Sequence, residues 1–280
     1  MMEAKLFRKG KTRDVYDLGD NLLIVATNRI SAFDVVFPFD IEGKGESLTN
    51  LSCFWLEKTK KIFPNHFIRR ESKDSILVKK ARRIDIEFVV RGYLYGSAWR
   101  SYQKGQRTVS GVLLPNNLRM AEKLPSPIIT PTTKEDAGHD MEISKAEAIS
   151  RKLVTKDEWG ELEEASLNLY KFYSRHAESN GIIIPDFKLE FGRADGLIQI
   201  DEPPTHDSAR FWPRKKYEIG KEQSDSLDKE YFRSWLMKHG FKGDGPVPEV
   251  PEETKREVSR RCRLAYEVLS GKTPIESVKF

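Results

Sequence analysis

The most informative run of titratable side chains is Asp186-Phe187-Lys188-Leu189-Glu190-Phe191, followed after a glycine-containing stretch by Asp201. Side chains alternate between faces along a strand, so Asp186, Lys188 and Glu190 share one face and Phe187, Leu189 and Phe191 the other. The pair Asp195-Gly196 predicts a two-residue hairpin turn, and with that turn Glu190 stands opposite Asp201. Opposed carboxylates repel on a sheet. A hard cation such as Mg2+ held between them relieves the repulsion, with Lys188 beside it suited to a phosphate chain. The solvated outer face of an antiparallel hairpin shows the same alternation, so both readings are open at this point.

A second candidate is the turn Arg8-Lys9-Gly10-Lys11-Thr12-Arg13, where a glycine lets backbone N–H groups approach a ligand and four cations surround it. It is not a phosphate-binding loop of the Gly-x-x-x-x-Gly-Lys-Thr type, because Lys5 stands where the first glycine belongs. Gly271-Lys272-Thr273 fails the same test, with Tyr266 in that place. Arg91, Ser97, Arg210 and Arg233 lie close to glycine or aromatic residues, and a planar guanidinium matches phosphate or carboxylate. Each of these features alone is also what a solvated turn or a salt-bridged surface arginine looks like. The five histidines are scattered without metal-ligand spacing, and Cys53 and Cys262 are far apart, which predicts buried thiols rather than a zinc site or a disulfide framework.

These groups need a scaffold. The 280 residues fit two domains or one two-lobed one, with a formal net charge of +5 and 32% charged residues. A mean hydropathy of −0.58 describes a polar-surfaced globular chain. No stretch has the apolar length of a membrane span and the start has no signal-peptide block, so the chain is expected in the cytosol. Short β-prone runs in the first third predict an antiparallel meander, the spacing Leu48, Leu51, Trp55, Thr59, Ile62 predicts a helix stopped at Pro64, and strands resume at 75–81 and 86–96. The amino-terminal half therefore reads as one sheet carrying one helix. Residues 114–140, rich in Pro, Thr and Asn, read as a crossing between lobes, giving an amino-terminal lobe at 1–118 and a second lobe at 119–280 with the hairpin and closing helices. Capping boxes at Ser144/Glu147 and Thr155/Glu158 open two helices, the second ending at Gly181, and further helices are predicted over 228–239 and 251–270.

The motifs GKTRDVYDLGD, NRISAFDVVFP, LTNLSCFWLE, IEFVVRGYLYGSAW, PIITPTTK with GHD, DFKLEFG and DEPPTHDSARFW span nearly the whole chain. Together, in this order, they resemble the phosphoribosylaminoimidazole-succinocarboxamide synthase (SAICAR synthetase) family of purine biosynthesis. The resemblance implies a two-lobed α+β fold related to ATP-grasp, with mainly antiparallel sheets and ATP in the inter-lobe cleft. It implies an ATP-dependent ligase joining L-aspartate to carboxyaminoimidazole ribonucleotide, with ATP and Mg2+ required. In family terms Gly10, Lys11 and Arg13 cover the ATP phosphates and Glu87 to Val89 form the adenine-side connection. Lys188 contacts phosphate, and Glu190 and Asp201 hold magnesium. Arg91, Ser97 and Arg210 hold the ribonucleotide phosphate; Lys134, Asp140 and Asp186 surround the aminoimidazole and its carboxylate; Arg233 is a further anion-binding arginine. Of these, Lys188, Asp186, Asp140 and Lys134 are the expected catalytic set. A homodimer is family habit. Asn28, Asp85, Pro185 and His206 depart from the family pattern. The rivals are a ligase of the same fold with another amine and, from the pI near 9.0 and the run KKARR, a nucleic-acid-binding module; the near balance of acids and bases argues against the latter, so small-molecule substrates and no nucleic acid are expected.

Overall fold

The computed structural model describes residues 5–134, 141–201 and 203–280. In chain order its strands are β1 (Lys5–Lys9), β2 (Arg13–Asp17), β3 (Asn21–Ala26), β4 (Arg29–Ala32), β5 (Val35–Asp40), β6 (Phe67–Arg70), β7 (Ser75–Lys79), β8 (Arg82–Tyr93), β9 (Thr108–Val109), β10 (Val112–Leu113), β11 (Lys123–Ile129), β12 (Thr132–Thr133), β13 (Ile182–Ile183), β14 (Asp186–Arg193), β15 (Leu197–Ile200) and β16 (Trp212–Pro213). The helices are α1 (Lys44–Thr59), α2 (Gly96–Gln103), α3 (Lys145–Ser150), α4 (Lys156–Ser179), α5 (Glu230–Lys238) and α6 (Glu252–Leu269).

Two larger antiparallel sheets carry the fold among the described residues. One has the order β1-β2-β3-β7-β6, the other β11-β8-β14-β15 with β12 also on β8. The chain passes between them at Lys80-Ala81, so residues 82–93 are not the tail of the first sheet but the centre of the second. Strand β11 lies inside the segment expected to be an irregular crossing. Its Pro125 and Pro127 are tolerated because β11 is an edge, where a missing N–H costs no ladder bond. Helix α2 was not legible as a helix; Gly96, at φ 60°, turns the chain out of β8 and starts it.

The predicted alternation on β14 holds: Phe187, Leu189 and Phe191 are fully buried in the main core with Trp55, Phe88 and Tyr173. Both capping boxes are present, each with the side chain accepting from the third helical N–H and the glutamate reaching back. Helix α4 then lays Trp159, Leu162, Leu169 and Tyr173 on the sheet. A second core joins β4 and β5 to the carboxy-terminal helices through Ile30, Phe37 and Ile41 against Phe232, Leu236 and Val258. Cys262 is buried there, whereas Cys53 is only half-buried.

The turn prediction is corrected. Arg193 pairs with Leu197 and Ala194 N donates to Gly196 O at 2.9 Å, so the loop has three residues, Ala194 to Gly196. A type I′ turn requires positive φ at both central positions, and neither Asp195 nor Gly196 has it. Glu190 consequently stands opposite Ile200, not Asp201.

Gly92 fixes how closely α4 approaches β8: a Cβ there would lie 1.8 Å from the hydroxyl oxygen of Tyr170, which donates to Ile184 O at 3.1 Å. Gly92→Ala is expected to cost about 1–3 kcal/mol by overpacking and to lower Tm by several degrees in a thermal melt. An unchanged Tm would show that α4 yields freely at this contact.

Candidate active site

The site is built on the pairing of β8 with β14, which sets Glu87 opposite Glu190, Val89 opposite Lys188 and Arg91 opposite Asp186. Directly opposite residues share a face, so these six side chains form one strip on the face turned away from the main core. Four residues of strand separate its two ends, roughly 13 Å.

At one end, Lys188 Nζ donates to Glu87 Oε2 at 2.6 Å, and Lys134 Nζ donates to Glu87 Oε1 at 2.8 Å and to Glu190 Oε1 at 2.5 Å. Asp201, at φ 56°, leaves the strand just after β15, which swings its carboxyl into contact with Glu190 although the register does not oppose them. Arg13 Nη1 reaches Asp201 Oδ1 at 3.2 Å. Burial and the neighbouring Asp201 push Glu190 up to about 8, against the pull of Lys134. Burial acts to raise Asp201 as well, but Arg13 and Lys134 outweigh it and its carboxyl titrates below the usual value. Glu87 is likewise held low, with Lys188 and Lys134 overcoming its desolvation. Lys134 is desolvated too, yet Glu190 and Glu87 raise it. Among the described residues no three His, Cys, Asp or Glu side chains converge as a complete metal shell. The carboxylate pair Glu190 and Asp201, with Glu190 raised by burial and by Asp201, suits a hard cation whose other ligands come from phosphate and water.

The basic turn joins β1 to β2. A Cβ at Gly10 would come within 2.7 Å of Arg13 O, so this tight turn needs glycine. Arg29 braces it from below, donating to Asp14 at 2.6 Å and to Gly10 O at 2.9 Å. Arg13 connects to the second sheet, whereas Lys11 pairs with Asp34 on the surface. Glu87 to Val89 do not offer a free backbone edge of the kind an adenine needs. Thr132 pairs with Glu87 on one side, Thr130 N donates to Val89 O at 2.9 Å, and β14 occupies the other side. Glu87 contributes its carboxylate instead, and Val89 is buried beneath Lys188.

At the other end, Arg210 Nη1 donates to both oxygens of Asp186, at 2.7 and 2.9 Å. Arg91, fully desolvated, donates from Nε to Thr130 Oγ1 at 2.8 Å and from Nη2 to Ser97 Oγ at 3.0 Å, with Nη1 3.5 Å from Asp186. Arg233 and Arg210 each approach Glu230 at 3.5 Å. Burial lowers the pKa of Arg91, partly offset by Asp186; for Arg210 the same penalty is exceeded by Asp186 and Glu230, which raise it. The structure thus brings together Arg91, Ser97, Asp186, Arg210 and Arg233, and Lys134, Lys188, Glu190, Asp201 and Arg13. Asp140 lies outside the described residues. Thr130, Glu230 and Arg100 join this group and carried no signal in the sequence, because which side chains meet a given arginine is set by residues distant in the chain.

The chain matches the SAICAR synthetase family model over residues 6–249. The chain belongs to the SAICAR synthetase family. Its relatives include the phosphoribosylaminoimidazole-succinocarboxamide synthases of Desulfosudis oleivorans, 44% identical with 95% of each chain covered, and of Thermodesulfovibrio yellowstonii, 42% identical with 96% of each covered. Among solved structures, the SAICAR-synthase from Saccharomyces cerevisiae complexed with SAICAR superposes with a TM-score of 0.86 at 35% identity, covering 96% of this chain and 95% of that one. A SAICAR synthetase in complex with ADP gives 0.74 at 27% identity, covering 95% and 98%. The two-lobed α+β architecture is that of the family.

The departures from the family pattern are accommodated locally. Asn28 Oδ1 accepts from Gly45 N at 3.0 Å at the start of α1, Asp85 pairs with Arg83 at 2.8 Å, and Pro185 O accepts from Gly92 N at 2.8 Å. His206 is fully buried beside an ion cluster that sequence reasoning missed: Lys44 Nζ bonds Asp207 Oδ2 at 2.6 Å and Lys229 Nζ lies 3.2 Å from Oδ1. Burial, with Lys44 and Lys229 nearby, pushes His206 down to about 4; Asp207, 3.6 Å away, pulls the other way. The unfolded chain takes up this proton near pH 6.5 and the folded one resists until about pH 4, so stability falls as pH drops through that window. Relative to His206→Gln, the native chain is expected to lose up to about 3 kcal/mol between pH 6.5 and 4, read as the pH dependence of the urea midpoint. Parallel pH profiles of the two proteins would show that His206 does not titrate on unfolding.

Proposed function

We propose that this chain joins L-aspartate to carboxyaminoimidazole ribonucleotide with ATP, giving SAICAR, ADP and phosphate, a step of purine biosynthesis. The observation that carries the reading is the β8/β14 strip, which has a carboxylate–ammonium group at one end and an arginine-rich anion site at the other. A ribonucleotide held by its phosphate at the arginine end, through Arg91, Ser97 and Arg210, extends its imidazole carboxylate toward Lys188 and Lys134. Gly10, Lys11 and Arg13 of the basic turn, with Lys188, take the ATP phosphates. Glu190 and Asp201 hold Mg2+, which when bound neutralises charge on the phosphates undergoing transfer.

A carboxylate is a poor electrophile. Its oxygen attacks the γ-phosphorus, the bond to the β-phosphate oxygen breaks, and ADP leaves an acyl phosphate. The aspartate amine then attacks the acyl carbon, the carbon–oxygen bond to phosphate breaks, and the amine loses a proton. Positioning and charge neutralisation by Lys188 and Lys134 supply the catalysis of the first step, with no side-chain nucleophile. Asp186, held by Arg210 and Arg91, faces the imidazole; it and Asp140 are the carboxylates that orient the exocyclic amine or take the proton.

ADP release is expected only when ATP, Mg2+, the ribonucleotide and L-aspartate are all supplied, with SAICAR formed in equal amount. Release that ignores aspartate would overturn the amine assignment. Glu190→Gln, which keeps the shape and removes the metal-binding charge, is expected to lower kcat roughly 100-fold or more while leaving the circular dichroism spectrum unchanged. Full activity of that variant would exclude Glu190 as a metal ligand.

A further inference from the structure

The arginine end of the strip holds several guanidinium groups whose carboxylate partners are already shared. Asp186 is taken by Arg210 and Arg91, and Glu230 is shared by Arg210 and Arg233. Arg100, on α2, is a fourth guanidinium in this group, and among the described residues no ion pair or side-chain hydrogen bond engages it. Its surroundings desolvate it and set it near Arg210 and Arg233, with Glu230 the carboxylate that offsets them. Glu222 lines the same cavity and Asp228 acts on Arg210, so the group is nearly balanced in charge, and what sets Arg100 apart is that no carboxylate among the described residues bonds it directly.

Arg100 is exposed on α2, but it stands at the rim of a cavity rather than on a flat surface. Arg100 lines a cavity of about 610 Å³ with Tyr95, Gly96, Trp99, Met120 and Glu230. It lies three residues after Ser97, on the same face of α2, and Ser97 Oγ is the acceptor of Arg91 Nη2 at 3.0 Å. Gly96 allows this convergence: a Cβ there would come within 2.8 Å of Arg210 Nη2. No side chain caps the first turn of α2, so its N–H groups add to the positive field.

We infer that Arg100 is a further ligand of the phosphate monoester of the ribonucleotide, closing the site from the α2 side opposite Arg210. The inference rests on the function proposed above. A phosphate monoester dianion offers three terminal oxygens, enough to accept from Arg100 in addition to Ser97, Arg91 and Arg210, whereas a single carboxylate offers two.

Ribose 5-phosphate is the probe, because it carries the phosphate without the reacting imidazole. The intact protein is expected to bind it, measured calorimetrically, and to show no binding of ribose. Arg100→Gln is expected to weaken ribose 5-phosphate binding at least about tenfold and to raise KM for the ribonucleotide by a similar factor, with KM for ATP and aspartate within about twofold and most of the loss recovered by Arg100→Lys. Undiminished ribose 5-phosphate binding by Arg100→Gln would overturn the inference, as would a rise confined to the KM for aspartate. Failure of the intact protein to make SAICAR would instead remove the proposed reaction, and the sugar-phosphate measurement would still decide whether Arg100 binds phosphate.

Discussion

Everything at the site depends on the register of β8 against β14. Because opposite residues of an antiparallel pair share a face, one register places Glu87 with Glu190 and Arg91 with Asp186 and turns Phe187, Leu189 and Phe191 into the core. A slip by one residue would drive the charged set into the core and expose three large apolar side chains. The burial of those three residues, Phe88 and Trp159 therefore holds the register, and the same packing that stabilises the second sheet spaces the two charged groups about 13 Å apart.

The first sheet reaches the strip through few contacts. Arg13 meets Asp201, and the basic turn is kept in shape by Arg29 and by the absence of a side chain at Gly10. Behind the strip the molecule is tied together more firmly. The β4/β5 hairpin shares a core with α5 and α6, Ser47 Oγ donates to Cys262 O at 2.5 Å, and Lys44 bonds Asp207 in a fully desolvated pair. Asp207 lies three residues before Arg210, whose N–H donates to Asp186 O at 3.2 Å, while Lys188 N donates to Ser208 O at 3.1 Å. The loop bearing Arg210 is thus anchored from α1 on one side and from β14 on the other.

The two ends of the strip are electrostatically unlike. At the Glu190 end, charges of both signs are balanced, and burial with the neighbouring Asp201 pushes the Glu190 carboxyl up to about 8. At the Arg91 end, guanidinium groups gather around Asp186 and Glu230, and desolvation lowers Arg91 and Arg100. One end is a network of paired carboxylates and ammonium groups, and the other is a cluster of guanidinium groups.

The sequence by itself determined the local elements and the face assignments. The alternation in Asp186 to Phe191, the two capping boxes and the terminal helices are properties of short segments, set by period, caps and breakers. It also carried the family's motifs, and with them most of the site residues. Tertiary structure decided what short segments cannot encode. The three-residue loop at 194–196 moved Glu190 away from opposite Asp201, and a left-handed backbone at Asp201 restored their contact by another route. Strand β8 lies at the centre of the second sheet, which takes the backbone of Glu87 to Val89 out of use and makes Glu87 an acceptor for two lysines. Arg100, Lys44 and Lys229 became visible only through their surroundings, because the partner of a charged side chain and the water it loses are set by residues distant in the chain.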